Sequence, residues 1–145
     1  MQFMLYKNKK PQGLYIKFIY ESNRRRIMSK KVAIVCNGAE NKNLYPTFIL
    51  GSSAIASGDD LILFFTPGAA PALRKGELEK IKAKGYPDMA DLVEGISALG
   101  GRMLLCELAF EAKDMKKEDL REGLEIVGAT SFMAEISDAQ VTFSF

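Results

Sequence analysis

The sequence predicts an α/β fold, a mostly parallel sheet of five strands with helices on both faces. Short, continuous apolar runs alternate with longer segments of helical periodicity along residues 30–145. Such runs are typical of strands buried on both faces, and right-handed strand–helix–strand units place these strands parallel to one another. Five strands in a chain of this length favour the doubly wound order 2-1-3-4-5.

Five short segments have the pattern of strands. Residues 32–36 and 61–65 are continuous apolar runs, the next two segments are mainly apolar, and the fifth alternates apolar with polar residues, as an edge strand does. In chain order the predicted strands are residues 32–36, 61–65, 102–106, 124–127 and 141–145.

The segments between these strands predict helices. A polar loop, residues 37–43, precedes a helix with Pro46 in its first turn and Gly58 at its end. Residues 89–99 keep their apolar side chains on one helical face, and Gly100 ends that helix. The other helices are predicted at residues 71–84, with a break possible at Gly76, and at residues 107–114 and 128–137, with one or two further turns within residues 116–122.

The composition is that of a globular protein of one domain. The chain has 145 residues, of which 48% are apolar and 26% charged, so a core forms without a disulfide or structural metal. No apolar run approaches the roughly 20 residues of a membrane helix. Residues 13–20 are too short for a secretory signal and lack a small-residue cleavage site. The sequence therefore predicts a cytoplasmic protein with no membrane partner.

Positive charge is concentrated at the amino terminus. Residues 1–31 contain nine Lys or Arg and one Glu, a net charge of +8, whereas residues 32–145 have a net charge of −6. Because the body of the chain is acidic, a nucleic-acid-binding surface is not expected on it. We predict a basic extension, residues 1–29, followed by an α/β domain of residues 30–145.

Three interpretations of the basic extension remain open. It is a flexible arm that touches nucleic acid or an acidic partner, or it is a β-hairpin with strands at residues 4–6 and 14–20. The third interpretation places the native start at Met28, because Met28-Ser29-Lys30-Lys31 directly precedes an apolar strand. The mass of the native protein distinguishes the third from the other two.

The sequence contains no histidine and two cysteines. The absence of histidine excludes Ser-His-Asp catalysis, Cys-His catalysis and every His-ligated metal site. Cys36 and Cys106 lie 70 residues apart, which is neither a disulfide framework nor a paired zinc-ligand pattern. Any chemistry must therefore come from thiols, carboxylates, amines, hydroxyls or backbone dipoles.

Cys106 is the strongest candidate for a chemical centre. It ends the third predicted strand, and Glu107-Leu108-Ala109-Phe110 directly after it predicts the start of a helix. Free N–H groups and the helix dipole at such a start favour the thiolate, whereas the carboxylate of Glu107 opposes it. The alternative is that Cys106 packs in the core, since free cysteine is among the most buried residue types.

Residues at the end of the first strand are candidates for the same site. In the order 2-1-3-4-5, strands 1 and 3 are neighbours, so Cys36 and Cys106 would face one crevice. Cys36 fits core packing better than the role of a resolving thiol. Asn37 and Gly38 begin a loop that lacks the glycine spacing of a phosphate-binding fingerprint.

A further candidate lies after the fourth strand. Gly128-Ala129-Thr130-Ser131 predicts the start of a helix, whose free N–H groups are suited to an anion. Alternatively, Thr130 or Ser131 only caps this helix. We therefore include Gly128 and Thr130 as candidate binding residues beside Cys106.

Four stretches of the domain resemble the DsrE/DsrF-like family, particularly its archaeal and bacterial branch that is labelled peroxiredoxin-like. They are LILFFT at residues 61–66, CEL to MKKEDL within residues 106–120, GLEIVG at residues 123–128 and ATSFM at residues 129–133. The order and spacing of the stretches carry the resemblance more than any single motif. The resemblance covers residues 30–145 and omits the basic extension.

The resemblance implies a flavodoxin-like three-layer fold and assembly into homotrimers or homohexamers. In many members of the family, a cysteine holds sulfane sulfur as a persulfide and passes it to a partner protein, a role that maps here onto Cys106. Some relatives have a second cysteine a few residues downstream, but residues 111–114 contain none. The resemblance therefore implies a single-thiol sulfur carrier with sulfurtransferase-like chemistry, donor and acceptor proteins as partners, and no metal or organic cofactor.

Two other functions remain open at this point. The chain is a non-catalytic oligomeric binding or assembly module of the same fold, or it binds a nucleotide or flavin in the same crevice. Slow alkylation of a buried Cys106 favours the binding module. A yellow colour, or a thermal shift with nucleotides, favours the nucleotide or flavin binder.

Overall fold

The structure, a computed structural model, describes residues 29–145, so the interpretations of residues 1–27 lie outside the described part. The strands are β1 (Lys31–Cys36), β2 (Asp60–Phe65), β3 (Arg102–Cys106), β4 (Leu124–Val127) and β5 (Val141–Ser144). The α-helices are α1 (Asn41–Ala56), α2 (Met89–Ala98), α3 (Ala109–Ala112) and α4 (Ala129–Glu135), and short 3-10 turns occupy Ala70–Leu73, Leu78–Lys80 and Lys117–Asp119. Each predicted strand is present within one residue at either end, and the predicted α/β class is confirmed.

The strands form one sheet in the order β4-β3-β2-β1-β5, and every neighbouring pair is parallel. The predicted order 2-1-3-4-5 is therefore wrong, because β2 lies between β1 and β3. An apolar run shows that a strand is buried, but it does not specify the neighbours of that strand. The first three crossovers step in one direction along the sheet, and the last returns to place β5 beside β1. β5 lies at an edge, as its alternating pattern predicts.

The two faces of the sheet are covered unequally. On the broad face, α1 and α2 pack on the larger core, in which the ring centroids of Phe48 and Phe65 are 5.8 Å apart. On the opposite face, here called the α4 face, a smaller cluster holds Phe132 of α4 against the sheet. Right-handed crossovers that run in opposite directions place their helices on opposite faces. The last crossover therefore separates α4 from the other helices.

The predicted helices at residues 71–84 and before β2 differ from the structure. Residues 71–84 form no α-helix, because Gly76 adopts a positive φ of 78° between the two 3-10 turns at Ala70–Leu73 and Leu78–Lys80. The first helix begins at Asn41, inside the predicted polar loop, so Pro46 lies in its second turn and not in its first. Among residues 29–145, no helix is both long and apolar enough to cross a membrane.

Candidate functional site at the ends of β3 and β4

The chain leaves β3 and β4 toward opposite faces of the sheet. After β3 it enters the core of the broad face, where Ala109 and Met115 are buried, and after β4 it enters α4. The carboxyl ends of β3 and β4 therefore form a topological switch point, the position at which α/β sheets bind ligands. Cys106 and Val127 are register partners there, and the N–H of Glu107 donates to the carbonyl of Val127 at 3.0 Å.

Cys106 lies at this switch point with its side chain on the α4 face. The residue is 5% exposed and belongs to the cluster of Ile62, Phe64, Leu104 and Phe132. The rings of Phe64 and Phe132 stack with centroids 4.0 Å apart and an interplanar angle of 11°. The thiol is therefore at the rim of the sheet but is almost closed off by apolar side chains beneath α4.

The helix predicted to begin directly after Cys106 begins later. Glu107 and Leu108 form a turn, and α3 starts at Ala109 and has four residues. A helix of one turn has few aligned peptide dipoles, and the effect of the dipole is confined to the terminal turn. The helix start predicted directly after Cys106 is therefore replaced by a turn.

Glu107 instead lies against the start of α4. Gly128 is the N-cap residue of α4, and a Cβ atom built on it would be 2.9 Å from Oε1 of Glu107. The carboxylate thus lies beside the predicted anion site, and a carboxylate near a helix amino terminus is favourable. Thr130 is exposed, and no side-chain cap holds the start of α4. The structure brings Gly128 close to Cys106 but leaves Thr130 on the surface.

The predicted site residues of β1 form a separate group. Cys36 is fully buried on the broad face, and its Sγ donates to the carbonyl of Gly38 at 3.4 Å. Asn37 accepts a hydrogen bond from the hydroxyl of Thr66 at 2.7 Å, and its N–H donates to the carbonyl of Phe145 at 2.7 Å. These contacts join the ends of β1, β2 and β5.

The two cysteines do not share a crevice, so that expectation is wrong. β2 separates their strands, and Cys36 faces the broad face whereas Cys106 faces the α4 face. Burial raises the pKa of the Cys36 thiol above its usual value, which keeps it protonated and unreactive at neutral pH. Cys36 is therefore a core residue, and its location does not support a role as a resolving thiol.

An arginine at the start of β3 anchors the end of α4 that is remote from Cys106. Arg102 donates from Nε to Oε1 of Glu125 at 2.8 Å and from Nη2 to Oε2 of the same carboxylate at 2.6 Å. It also donates from Nη1 and Nη2 to Glu135 at 2.5 and 3.0 Å. Lys31 adds a bond from Nζ to the carbonyl of Glu135 at 3.0 Å and an ion pair with Asp138 at 2.5 Å. We call these five residues the α4 anchor.

Sequence reasoning missed the α4 anchor. Strand alternation places Arg102 on the same face as Leu104 and Cys106, and this signal is readable from residues 102–106. The pairing of Arg102 with Glu135 cannot be predicted from the sequence, because it depends on the face of the sheet on which α4 packs. The strand order in the structure determines that face.

The α4 anchor is expected to stabilise the fold at neutral pH and to lose this effect in acid. Hydrogen bonds from Arg102 lower the pKa of Glu125 and of Glu135. A carboxyl whose pKa is lowered by folding adds stability above its unfolded pKa of about 4.3, and that stability is lost as the pH falls through the folded pKa. The urea midpoints of wild type and Arg102→Gln should therefore differ at pH 7 and converge toward pH 3.

Lys31 and Asp138 are present in both proteins, so their own titration largely cancels from this comparison. The matched control is Lys80→Gln, which breaks the exposed pair of Lys80 with Glu77 at 2.6 Å. A difference in midpoint that stays constant from pH 7 to pH 3 would show that Arg102 does not act through the two carboxylates.

Two pockets of ligand size lie away from Cys106. One of about 680 Å³ is mostly apolar and is lined by Tyr45, Tyr86 and Phe145, and one of about 330 Å³ is lined by Lys75 and Arg121. Among residues 29–145, no three His, Cys, Asp or Glu side chains are grouped to hold a metal ion.

A family model matches nearly all of the described part of the chain. Residues 30–145 match the model of the DsrE/DsrF-like family. Uncharacterized protein MJ0760 of Methanocaldococcus jannaschii is 31% identical over 97 residues, which are 67% of this chain and 35% of that protein. The chain therefore spans about a third of the length of that relative.

Two further comparisons extend over most of the domain. Sulfur carrier protein DsrE2 of Allochromatium vinosum is 22% identical over 152 aligned positions, covering 77% of this chain and 96% of that protein. The crystal structure of the ychN protein from E. coli has a TM-score of 0.66 at 22% identity and covers 80% of this chain and 99% of that chain. At this identity, the structural likeness establishes a shared fold.

Proposed function

Because the chain belongs to the DsrE/DsrF-like family, we propose that it is a cytoplasmic sulfur carrier that holds sulfane sulfur as a persulfide on Cys106. The observation that carries this proposal is the position of Cys106 at the switch point between β3 and β4. A relative of similar length is named a sulfur carrier protein, which supports the same chemistry.

The proposed transfer is an exchange between sulfur atoms without net oxidation. The Cys106 thiolate attacks the outer sulfur of a donor persulfide, and a new S–S bond forms as the bond to the donor breaks. The donor leaves as a thiolate, and Cys106 becomes the persulfide. An acceptor thiolate then attacks the outer sulfur of that persulfide and regenerates the Cys106 thiolate.

The apolar surroundings of Cys106 suit a stored sulfane sulfur. Thiol–disulfide exchange depends on access to the sulfur that is attacked, so burial beneath Phe132 slows loss of the sulfur to small thiols. Leu108, two residues after Cys106, is 61% exposed at the same end of the sheet. An exposed leucine beside the site offers a contact for a donor or acceptor protein.

Incubation of the purified protein with polysulfide, followed by intact-mass analysis, tests the proposal. We expect an adduct of about +32 Da, one sulfur atom, on the wild type and on Cys36→Ser, because Cys36 is fully buried in the larger core whereas Cys106 is 5% exposed beneath the short helix α4. Cys106→Ser is expected to remain unmodified. An adduct that survives Cys106→Ser, or one that disappears in Cys36→Ser alone, would contradict the assignment.

The burial of Cys106 favours a second candidate function, a non-catalytic oligomeric module of the same fold. In that case Cys106 packs the α4 face and never acquires sulfur. The family resemblance implies a homotrimer or homohexamer for both functions, so oligomeric state alone does not distinguish them. Retention of partner binding by Cys106→Ser, together with a wild type that takes up no sulfur, identifies the module.

A further inference from the structure

The α4 face depends on one short helix. α4 has seven residues, and among the described residues it is the helix that contributes to the cluster around Cys106. An isolated helix of this length is unstable in water, so tertiary contacts must hold it in place. Those contacts are the stack of Phe132 on Phe64 and the α4 anchor at the far end.

Arg102 contacts the carboxylate in the last turn of α4 and, with Lys31, ties that turn to the sheet. Its guanidinium bridges Glu125 on β4 and Glu135 on α4, with hydrogen bonds to both carboxylates. Bidentate arginine–carboxylate pairs are stronger and more directional than simple ion pairs. Cys106 lies at the other end of the same strand as Arg102, beneath the same helix.

We propose that Arg102 is a positioning residue that, by holding α4 on the sheet, sets how often the Cys106 sulfur is exposed to a reaction partner. Local opening of α4 uncovers Cys106 and leaves the broad face intact. That such opening admits a sulfur donor or acceptor rests on the proposed function. The opening itself is a property of the fold and is measurable without any sulfur transfer.

The two cysteines provide an internal comparison for this test. Cys36 is fully buried beneath the broad face, so it reacts with an alkylating reagent only when the larger core opens. Cys106 reacts when either the larger core or α4 alone opens. The ratio of the two alkylation rates, measured in one sample by peptide mass spectrometry with iodoacetamide, separates local from global opening.

Arg102→Gln is expected to raise the Cys106 to Cys36 rate ratio about fivefold, because it removes the two charge-assisted hydrogen bonds from Arg102 to Glu135 of α4. Glu135→Gln, which spares the bonds between Arg102 and Glu125, is expected to raise the ratio as well. Arg102→Lys should raise the ratio less than Arg102→Gln does, since a lysine keeps the charge but cannot bridge both carboxylates. Lys80→Gln should leave the ratio unchanged.

An unchanged ratio in both Arg102→Gln and Glu135→Gln would overturn the inference, whether the two alkylation rates stay constant or rise by the same factor. These outcomes are distinct from failure of the proposed function. A wild type that gains no mass with polysulfide refutes the sulfur carrier but leaves the alkylation ratios to decide the role of Arg102. If both hold, the persulfide on Arg102→Gln should pass to a small acceptor thiol faster than on wild type, by the same factor as alkylation.

Discussion

Phe132→Ala is expected to lower the free energy of unfolding by about 3 kcal/mol, the lower range for removing a buried phenylalanine side chain. Phe132 is 6% exposed and stacks on Phe64, so its loss leaves a cavity between α4 and the sheet. Because α4 is short, it is also expected to detach and to accelerate alkylation of Cys106. Urea unfolding and thiol alkylation measure the two effects.

Met133→Ala is the matched control for this substitution. Met133 is the next residue of α4 and is 62% exposed, so its truncation should change stability by less than about 0.5 kcal/mol. Similar losses for Phe132→Ala and Met133→Ala would show that the stack on Phe64 does not hold α4.

Gly68→Ala is expected to destabilise the protein by about 2 kcal/mol, through a backbone collision that no rotamer relieves. A Cβ atom on Gly68 would be 2.3 Å from the carbonyl oxygen of Asn37, so the ends of β1 and β2 must separate. The hydrogen bond from the hydroxyl of Thr66 to Asn37 would be disturbed at the same place. Thermal unfolding measures this loss.

Gly95→Ala provides a control with the opposite sign. Gly95 lies within α2, and a Cβ atom there would meet no atom within 4 Å. Alanine is favoured over glycine in a helix by about 1 kcal/mol, so Gly95→Ala should raise the melting temperature. A Gly68→Ala variant as stable as wild type would mean that the loop of Asn37 moves without cost.

The sequence predicted the strands well because each buried strand is a short run of apolar residues with polar or glycine residues on both sides. Residues 102–106 and 124–127 agree with β3 and β4 at both ends. The order of the strands could not be predicted in the same way, since burial is a property of one strand and neighbours are a property of pairs. The crossover segments are long enough for several orders.

The helices were less predictable where tertiary contacts compete with local preference. Residues 71–84 are predicted to be helical with a possible break at Gly76, but Leu73 and Leu78 are buried in the broad-face core from separate 3-10 turns. An antiparallel bridge between Arg74 and Leu120 fixes this segment against the chain before β4. That contact joins residues far apart in sequence, so no local sequence pattern predicts it.

The candidate site was predictable in its position but not in its surroundings. A cysteine at the end of a buried strand places Cys106 at the carboxyl edge of the sheet from sequence alone. Its burial beneath Phe132 and the bridge that Arg102 makes to Glu135 follow from the face on which α4 lies, whereas its separation from Cys36 follows from the strand order. The direction of a single crossover decides that face, and sequence periodicity carries no information on it.

The place of β5 beside β1 has a consequence for how the sheet is completed. Val32 pairs with Leu61 across β1 and β2 but with Val141 across β1 and β5, so the second pairing closes a loop nearly four times as long. If β5 pairs with β1 while the chain between them is unfolded, closing that longer loop costs about 1 kcal/mol more entropy. Three of the four residues of β5 are exposed, so little buried area offsets this cost. Separation of β5 from β1 is therefore expected to need less free energy than separation of any other pair of strands in the described sheet.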